Sequence, residues 1–167
     1  MQITNTQQED LADIFAIYDD AIAYQKEAGN NHWLGFEEAL LLKEIEELRH
    51  YKITDDGRIV ATFVITLSDP AIWQDLNRAA VYIHRIAIRK DFRGNNVLGA
   101  IITWARTYAK ENSLPLIRLD TGTGNDRLIN YYKKCGFNYL GDTTIAYTPD
   151  LPAHFKDGHF ALLEMTV

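Results

Sequence analysis

A mixed, mostly antiparallel α/β (α+β) fold is what this sequence predicts: a twisted sheet of six to seven strands, about four flanking helices and a central βαβ unit. Three observations predict it. The apolar residues switch repeatedly between a period near 3.6 and a period of two. Asp55-Asp56-Gly57 places a tight hairpin turn between two apolar runs. A strand, a helix and a second strand follow one another from Ala80 to Leu119, the order of a parallel crossover.

After a short first strand, Leu11, Ile14, Phe15, Tyr18 and Ile22 recur at helical spacing between Gln8 and Ala28. Glu37 to Arg49 repeats the period with Leu40, Leu41, Ile45 and Leu48. Tyr51–Thr54 and Ile59–Leu67 then form the arms of the hairpin, because Asp-Gly supplies its positive φ angles. An irregular piece around Pro70 leads to Ala80–Ile88, whose near-continuous apolar run reads as a largely buried strand. Val97 to Glu111 is helical, and Leu116–Leu119 is a strand that Pro115 begins without interrupting a ladder. A helix from Asp126 to Lys134 stops at Cys135-Gly136, glycine being the expected residue just past a helix end. Phe137–Tyr147 and Phe160–Thr166 close the sheet.

With 167 residues, no internal repeat and no Pro/Ser-rich linker, residues 1–167 read as one domain that needs no disulfide or metal staple. The composition, 47% hydrophobic and 24% charged, is that of a globular chain. No apolar run approaches the roughly 18 residues of a membrane span, and Met1-Gln2-Ile3-Thr4-Asn5 is unlike a leader, so a cytoplasmic protein is expected. A net charge of -6, with Glu37, Glu38, Glu44, Glu46 and Glu47 gathered early, argues against nucleic acid and reads as a solvated helix face or as steering for a cationic substrate. The lone Cys135 has neither metal-ligand spacing nor a His/Asp arrangement that would make it a nucleophile. No dinucleotide fold is expected, because no strand runs into Gly-x-Gly-x-x-Gly and Thr121-Gly122-Thr123-Gly124 is too short.

Chemistry is concentrated from Arg89 onward. Arg89-Lys90-Asp91-Phe92-Arg93-Gly94-Asn95-Asn96 lies between a buried strand and a helix start. The first amides of a helix have no internal partner and carry the positive end of its dipole, so a polyanion is well placed there. The plainer alternative is a solvated basic turn with an asparagine cap.

Ile86-Ala87-Ile88 followed by Arg93-Gly94-Asn95-Asn96-Val97-Leu98 resembles the pyrophosphate-binding motif of the GNAT superfamily of N-acetyltransferases, Gln/Arg-x-x-Gly-x-Gly/Ala. Arg93 matches, while Asn96 and Leu98 stand at the two small-residue positions. Leu116 to Asp120, then Asn125, Leu128 and Tyr132-Lys133-Lys134-Cys135-Gly136-Phe137 resemble the family's strand, asparagine and Tyr-x-x-x-Gly-Phe ending. The resemblance implies acetyl-CoA as cosubstrate, with its pyrophosphate on the amides of Arg93, Gly94, Asn95, Asn96, Val97, Leu98 and Gly99. It implies that the backbone of Ile86, Ala87 and Ile88, and Asn125, contact the pantetheine arm. Tyr132 would lie near the cofactor sulfur as general acid, the motif spacing favouring it over its neighbour Tyr131.

Acyl transfer expels a thiolate, to which a phenol can donate, and the attacking amine must lose a proton. His84, expected on one strand face with Tyr82 and Ile86, Asp120, or a water chain are the candidate bases. The expected activity is therefore direct transfer of an acetyl group from acetyl-CoA to a primary amine of a small molecule or peptide in a ternary complex. No metal is called for, and the chain is expected to act as a monomer or homodimer. A non-catalytic acyl-CoA-binding module is the alternative. The aromatic segments Tyr24–Trp33 and around Trp73 are expected to wall the acceptor pocket.

Overall fold

The computed structural model describes residues 1–29, 32–149, 151, 155–156 and 158–167. Among these, seven strands hydrogen-bond in the order β1-β2-β3-β4-β5-β7-β6: β1 (Gln2–Asn5), β2 (His50–Asp55), β3 (Arg58–Thr66), β4 (Val81–Ile88), β5 (Leu116–Gly122), β6 (Asn138–Thr144) and β7 (His159–Thr166). The helices are α1 (Leu11–Glu27), α2 (Glu38–Glu46), α3 (Pro70–Trp73), α4 (Val97–Glu111) and α5 (Asp126–Lys134). The mixed sheet expected from the sequence is the sheet found. No described helix is long and apolar enough to cross a membrane.

Contact density divides the chain into two compact units. One holds Met1–Ile65 and His84–Trp104, the other Thr66–Ile83 and Ala105–Val167, so β4 and α4 each contribute to both.

In the first unit, β1 and β3 flank β2 in antiparallel register, Ile3 opposite Ile53 and Ile53 opposite Ala61. The hairpin turns where expected, with Asp56 at φ 47° and Gly57 at φ 78°. Ile14, Ile17, Tyr18 and Ala21 bury one stripe of α1 against Leu41, Ile59 and Ala87. Leu40 and Leu48, counted as part of the α2 stripe, are exposed instead, and Leu48 lies past the helix end at φ 55°. The helix ends at Glu46, which leaves Leu48 outside it, while Leu40 lies within it on the exposed side. Glu44 is corrected more sharply: expected on a solvated face, it is 4% exposed, because Arg85 of β4 supplies a buried cationic partner.

In the second unit, Val81–Ile83 runs parallel to Ile117–Leu119, and β7 is antiparallel to both β5 and β6. The stretch around Pro70, expected to be irregular, contains α3. Its start follows the rules for helix N-termini, with Asp69 Oδ1 accepting from Ile72 N at 3.3 Å and proline at the first position. Trp73, in the region expected to wall an acceptor pocket, is buried at 1% exposure and packs with Ile72, Ala80, Tyr82, Phe160 and Leu162. Arg118, also buried, lies 4.3 Å over the Trp73 ring. Its Nη2 donates to Glu164 on the facing strand at 2.6 Å and its Nη1 to the Leu76 carbonyl at 2.5 Å and Tyr82 Oη at 2.9 Å.

Candidate active site

The loop that opens α4 is built from two left-handed residues. Gly94 has φ 90° and Asn96 φ 54°. Asparagine tolerates this region better than other side-chain-bearing residues, so Asn96 adopts the backbone that a glycine at this motif position would adopt. Leu98, the other departure, is 3% exposed, its side chain buried within the fold and not spread over the helix start. Asn96 folds its amide over Gly99, where a Cβ would meet Asn96 Oδ1 at 2.5 Å. A side chain at position 99 would therefore force the Asn96 amide to move.

The three cations of this segment are not equivalent. Arg89 pairs with Asp13 of α1 at 2.5 Å and donates through Nε to the Ile59 carbonyl. Arg93 reaches the Asp20 carbonyl of α1 at 3.1 Å, with its guanidinium 4.1 Å over the Tyr24 ring. Arg89 and Arg93 therefore fasten the loop to α1, while Lys90 is exposed. Asn95 Nδ2 donates to the Phe92 carbonyl at 2.9 Å, closing the short turn before the loop. Ile86 and Ile88 are half-buried and Ala87 is buried on the α1 and α2 cluster.

Strand β4 carries His84 beside an interruption: Arg85 has φ 50°, so the extended repeat on which a shared face for Tyr82, His84 and Ile86 rests does not run unbroken. Burial first, then the Arg85 and Arg49 cations, push the His84 pKa down to about 4, so its imidazole is neutral at pH 7.

Tyr132 and Asp120 lie in the second unit. Asn125 caps α5 as expected, its Oδ1 accepting from Leu128 N at 3.1 Å. At the other end Phe137 N donates to the Tyr132 carbonyl at 3.1 Å and Gly136 N to the Lys133 carbonyl at 3.0 Å, with Gly136 at φ 101°. These are the two bonds of a Schellman cap, and the hydrophobic contact that accompanies such a cap is the Tyr132–Phe137 ring pair, centroids 6.0 Å apart. The Tyr-x-x-x-Gly-Phe spacing is thus a helix stop that also fixes the Tyr132 ring. Tyr131, one residue earlier, is exposed.

Burial foremost, then the charge of Asp120, holds the Tyr132 phenol far above its ordinary pKa, so it keeps its proton across the physiological range. The Asp120 carboxyl is itself raised to about 7, first by burial and then by Asp69. Carboxylate oxygens of Asp69 and Asp120 come within 4.8 Å of each other. Asp69 is raised by burial as well, and its Oδ2 is buried without a hydrogen-bond partner. Asp69 carries no motif, and nothing but its place before Pro70 singles it out in the sequence. Cys135 is half-buried and its thiol is pushed up by burial, which disfavours the thiolate that a nucleophile requires.

Residues 11–137 match the family model for the acetyltransferase (GNAT) family, and the chain belongs to that family. Among curated proteins, it is 25% identical to the uncharacterized N-acetyltransferase YesJ of Bacillus subtilis, over 83% of this chain and 90% of that one. A streptothricin acetyltransferase from Escherichia coli is 35% identical over 45% of this chain and 41% of its own length. Among solved structures, a GNAT-family acetyltransferase from Listeria monocytogenes superposes with a TM-score of 0.77 at 24% identity, covering 99% of this chain and 94% of that one.

Proposed function

We propose that this acetyltransferase is a single-domain cytoplasmic enzyme that moves the acetyl group of acetyl-CoA directly onto a primary amine. The observation that carries the chemical half of this reading is the Tyr132 ring, fixed by the Schellman cap and its Phe137 contact, with a buried phenol that keeps its proton. A thioester is already an activated acyl donor, so the protein's tasks are to hold the cofactor, deprotonate the amine and protonate the departing sulfur. Cofactor binding falls to the left-handed loop and the first turn of α4, Arg93 to Gly99, where unpaired amides and the helix dipole favour a pyrophosphate. The backbone of Ile86, Ala87 and Ile88 and the side chain of Asn125 contact the pantetheine arm.

Of the candidate bases, Asp120 suits the neutral range, because a base works best with a pKa near the working pH. His84, held near 4, is a weak acceptor at pH 7 and serves as a neutral hydrogen-bonding group. Base and acid are linked. Once Asp120 has taken the amine's proton it is neutral, and one cause of the raised Tyr132 pKa disappears. Tyr132 therefore becomes a better donor at the stage when the thiolate leaves.

The expected kcat/KM for the amine rises with pH through about 7, since protonated Asp120 cannot accept and ionised Asp120 can. Asp120→Asn should abolish that limb and leave only the titration of the acceptor's own ammonium. A limb that persists unchanged in Asp120→Asn assigns the base elsewhere. Arg93→Ala should raise the Kd for acetyl-CoA several-fold, most strongly at low salt, because it removes both a cation and the loop's tie to α1. Calorimetric titration at two salt concentrations reads the effect, and an unchanged Kd would place the pyrophosphate elsewhere.

A further inference from the structure

Asp69 is held from two sides in the second unit. Its Oδ1 accepts from Ile72 N at 3.3 Å as the cap of α3, and its own backbone N–H donates to Asn77 Oδ1 at 3.0 Å. Tyr82 Oη stands 2.9 Å from the same Asn77 oxygen and accepts from Arg118 Nη1 at 2.9 Å, while Arg118 is fixed in turn by Glu164. A chain of polar contacts thus runs from β7 through β5 and β4 to the start of α3, where it orients a carboxyl group. The Asp69 backbone and Oδ1 are both engaged in this way, and no donor neutralises Oδ2.

Asp120 faces it. Arg118 and Asp120 share one face of β5 by the two-residue strand period, and a carboxylate oxygen of Asp120 comes within 4.8 Å of one on Asp69. Both residues are half-buried, so solvent still reaches the pair. Like charges this close and this sheltered are not both ionised at low cost: one carboxyl keeps its proton to a higher pH, and the two titrate together. The charges on the flanking elements are engaged elsewhere. Arg118 is committed to Glu164 and Arg85 of β4 to Glu44, and His84 of β4 is neutral at pH 7. Tyr131, Tyr132 and Cys135 keep their protons, Lys133 and Lys134 of α5, Asp75 after α3 and Asp142 of β6 are exposed, and the partner of Asp120 on β7 is the apolar Leu162.

We propose that Asp69 and Asp120 form one proton-holding pair, in which Asp120 takes the amine's proton and Asp69 is the positioning residue that equips it to do so. The proton leaves the amine nitrogen, and the nitrogen keeps the electron pair with which it attacks the thioester carbonyl. The Asp120 carboxylate becomes a carboxylic acid beside the Asp69 carboxylate, and one negative charge replaces two at the pair. That relief makes Asp120 a stronger base than a lone surface aspartate, in keeping with a carboxyl raised to about 7 by burial and then by Asp69. The assignment rests on the acetyl-transfer reading and adds a residue to it.

The test uses Asp69→Asn, because asparagine caps a helix about as well as aspartate and the substitution keeps the shape while removing the charge. Carboxyl-carbon NMR of the intact protein without acetyl-CoA follows the Asp120 titration, with Asp120→Asn identifying its resonance. The amine-side pH limb of kcat/KM is then measured on the same variants. In Asp69→Asn the Asp120 midpoint should fall by at least about one pH unit, since its ionised form no longer meets a like charge. The kinetic limb should move down with it, and Asp69→Glu, which restores the charge, should bring both back toward their original positions. Asp69→Ser, another capping residue, substitutes if the asparagine variant does not fold. A midpoint that stays in place in a folded variant overturns the pair, and so does a midpoint that falls while the kinetic limb does not move. A fallen midpoint in a protein that acetylates no amine would uphold the carboxyl pair and overturn the acetyl-transfer reading instead.

Discussion

Tyr132→Phe should lower turnover about 10²-fold or more, the usual scale for loss of a general acid, while acetyl-CoA binding changes little. The substitution removes one oxygen and keeps the ring, so the Phe137 contact and the Schellman cap, which uses backbone groups, both survive. If thiolate protonation is the affected step, acyl donors with better leaving thiols lose less, because their sulfur needs less help. The coupling to Asp120 adds a second signature: the amine-side pH limb should persist in the variant, since the base is intact. An unchanged turnover, measured where chemistry limits the rate, means that water or another group protonates the sulfur. A matched loss in Tyr131→Phe would mean that the exposed neighbour is the acid.

Glu164→Ala should cost about 3 kcal/mol of stability, because it strands the Arg118 guanidinium in the core of the second unit. Arg118 is 1% exposed and gives Nε and Nη2 to the same Glu164 oxygen, at 2.8 and 2.6 Å. Glu164 itself is partly exposed, which places the loss at the lower end of the range for broken buried pairs. Against a total of about 5–15 kcal/mol for a domain, such a loss is plain in a denaturant melt. Arg118→Met in the same chain removes the stranded charge and keeps much of the volume over Trp73, so the double variant should be more stable than Glu164→Ala alone. A single-variant loss below about 1 kcal/mol would show that water reaches Arg118 and screens it.

Much of the fold was legible because its elements declare themselves locally. The Asp56-Gly57 turn, the α5 stop at Gly136 and the bounds of α4 and α5 each depend on residues within one turn of the feature. What escaped notice depended on partners distant in sequence. Glu44 looked like part of a solvated acidic face until Arg85, 41 positions away, gave it a reason to be buried. The burial of Trp73 likewise depends on Arg118 and Tyr82, which pack on its ring. The left-handed Arg85 leaves no mark in composition, because arginine is not a residue that favours positive φ. The α3 start was readable from Asp69-Pro70, but a four-residue helix carries no periodicity to reinforce its cap.

At the candidate site, motif spacing singles out Tyr132 and Asn125, and the geometry gives that spacing a physical meaning: a cap at each end of α5. The behaviour of the candidate bases was not legible. His84 and Asp120 exchange suitability only when burial and neighbouring charge are known, the first pushed down and the second up. Likewise, the sequence showed Arg93 as a cation near a helix start, whereas its contacts make it equally a fastener between the loop and α1.

The central claim is catalytic transfer of the acetyl group to an amine, and its most direct measurement is release of free coenzyme A thiol by the purified protein, followed together with the acetylated amine across a panel of amine acceptors. The account predicts amine-dependent release in which thiol and N-acetyl product appear one for one, with turnover sharply reduced in Tyr132→Phe. Tight binding of acetyl-CoA with no amine-dependent thiol release from any member of the panel would contradict it, and would make the chain an acyl-CoA-binding module built on an acetyltransferase fold.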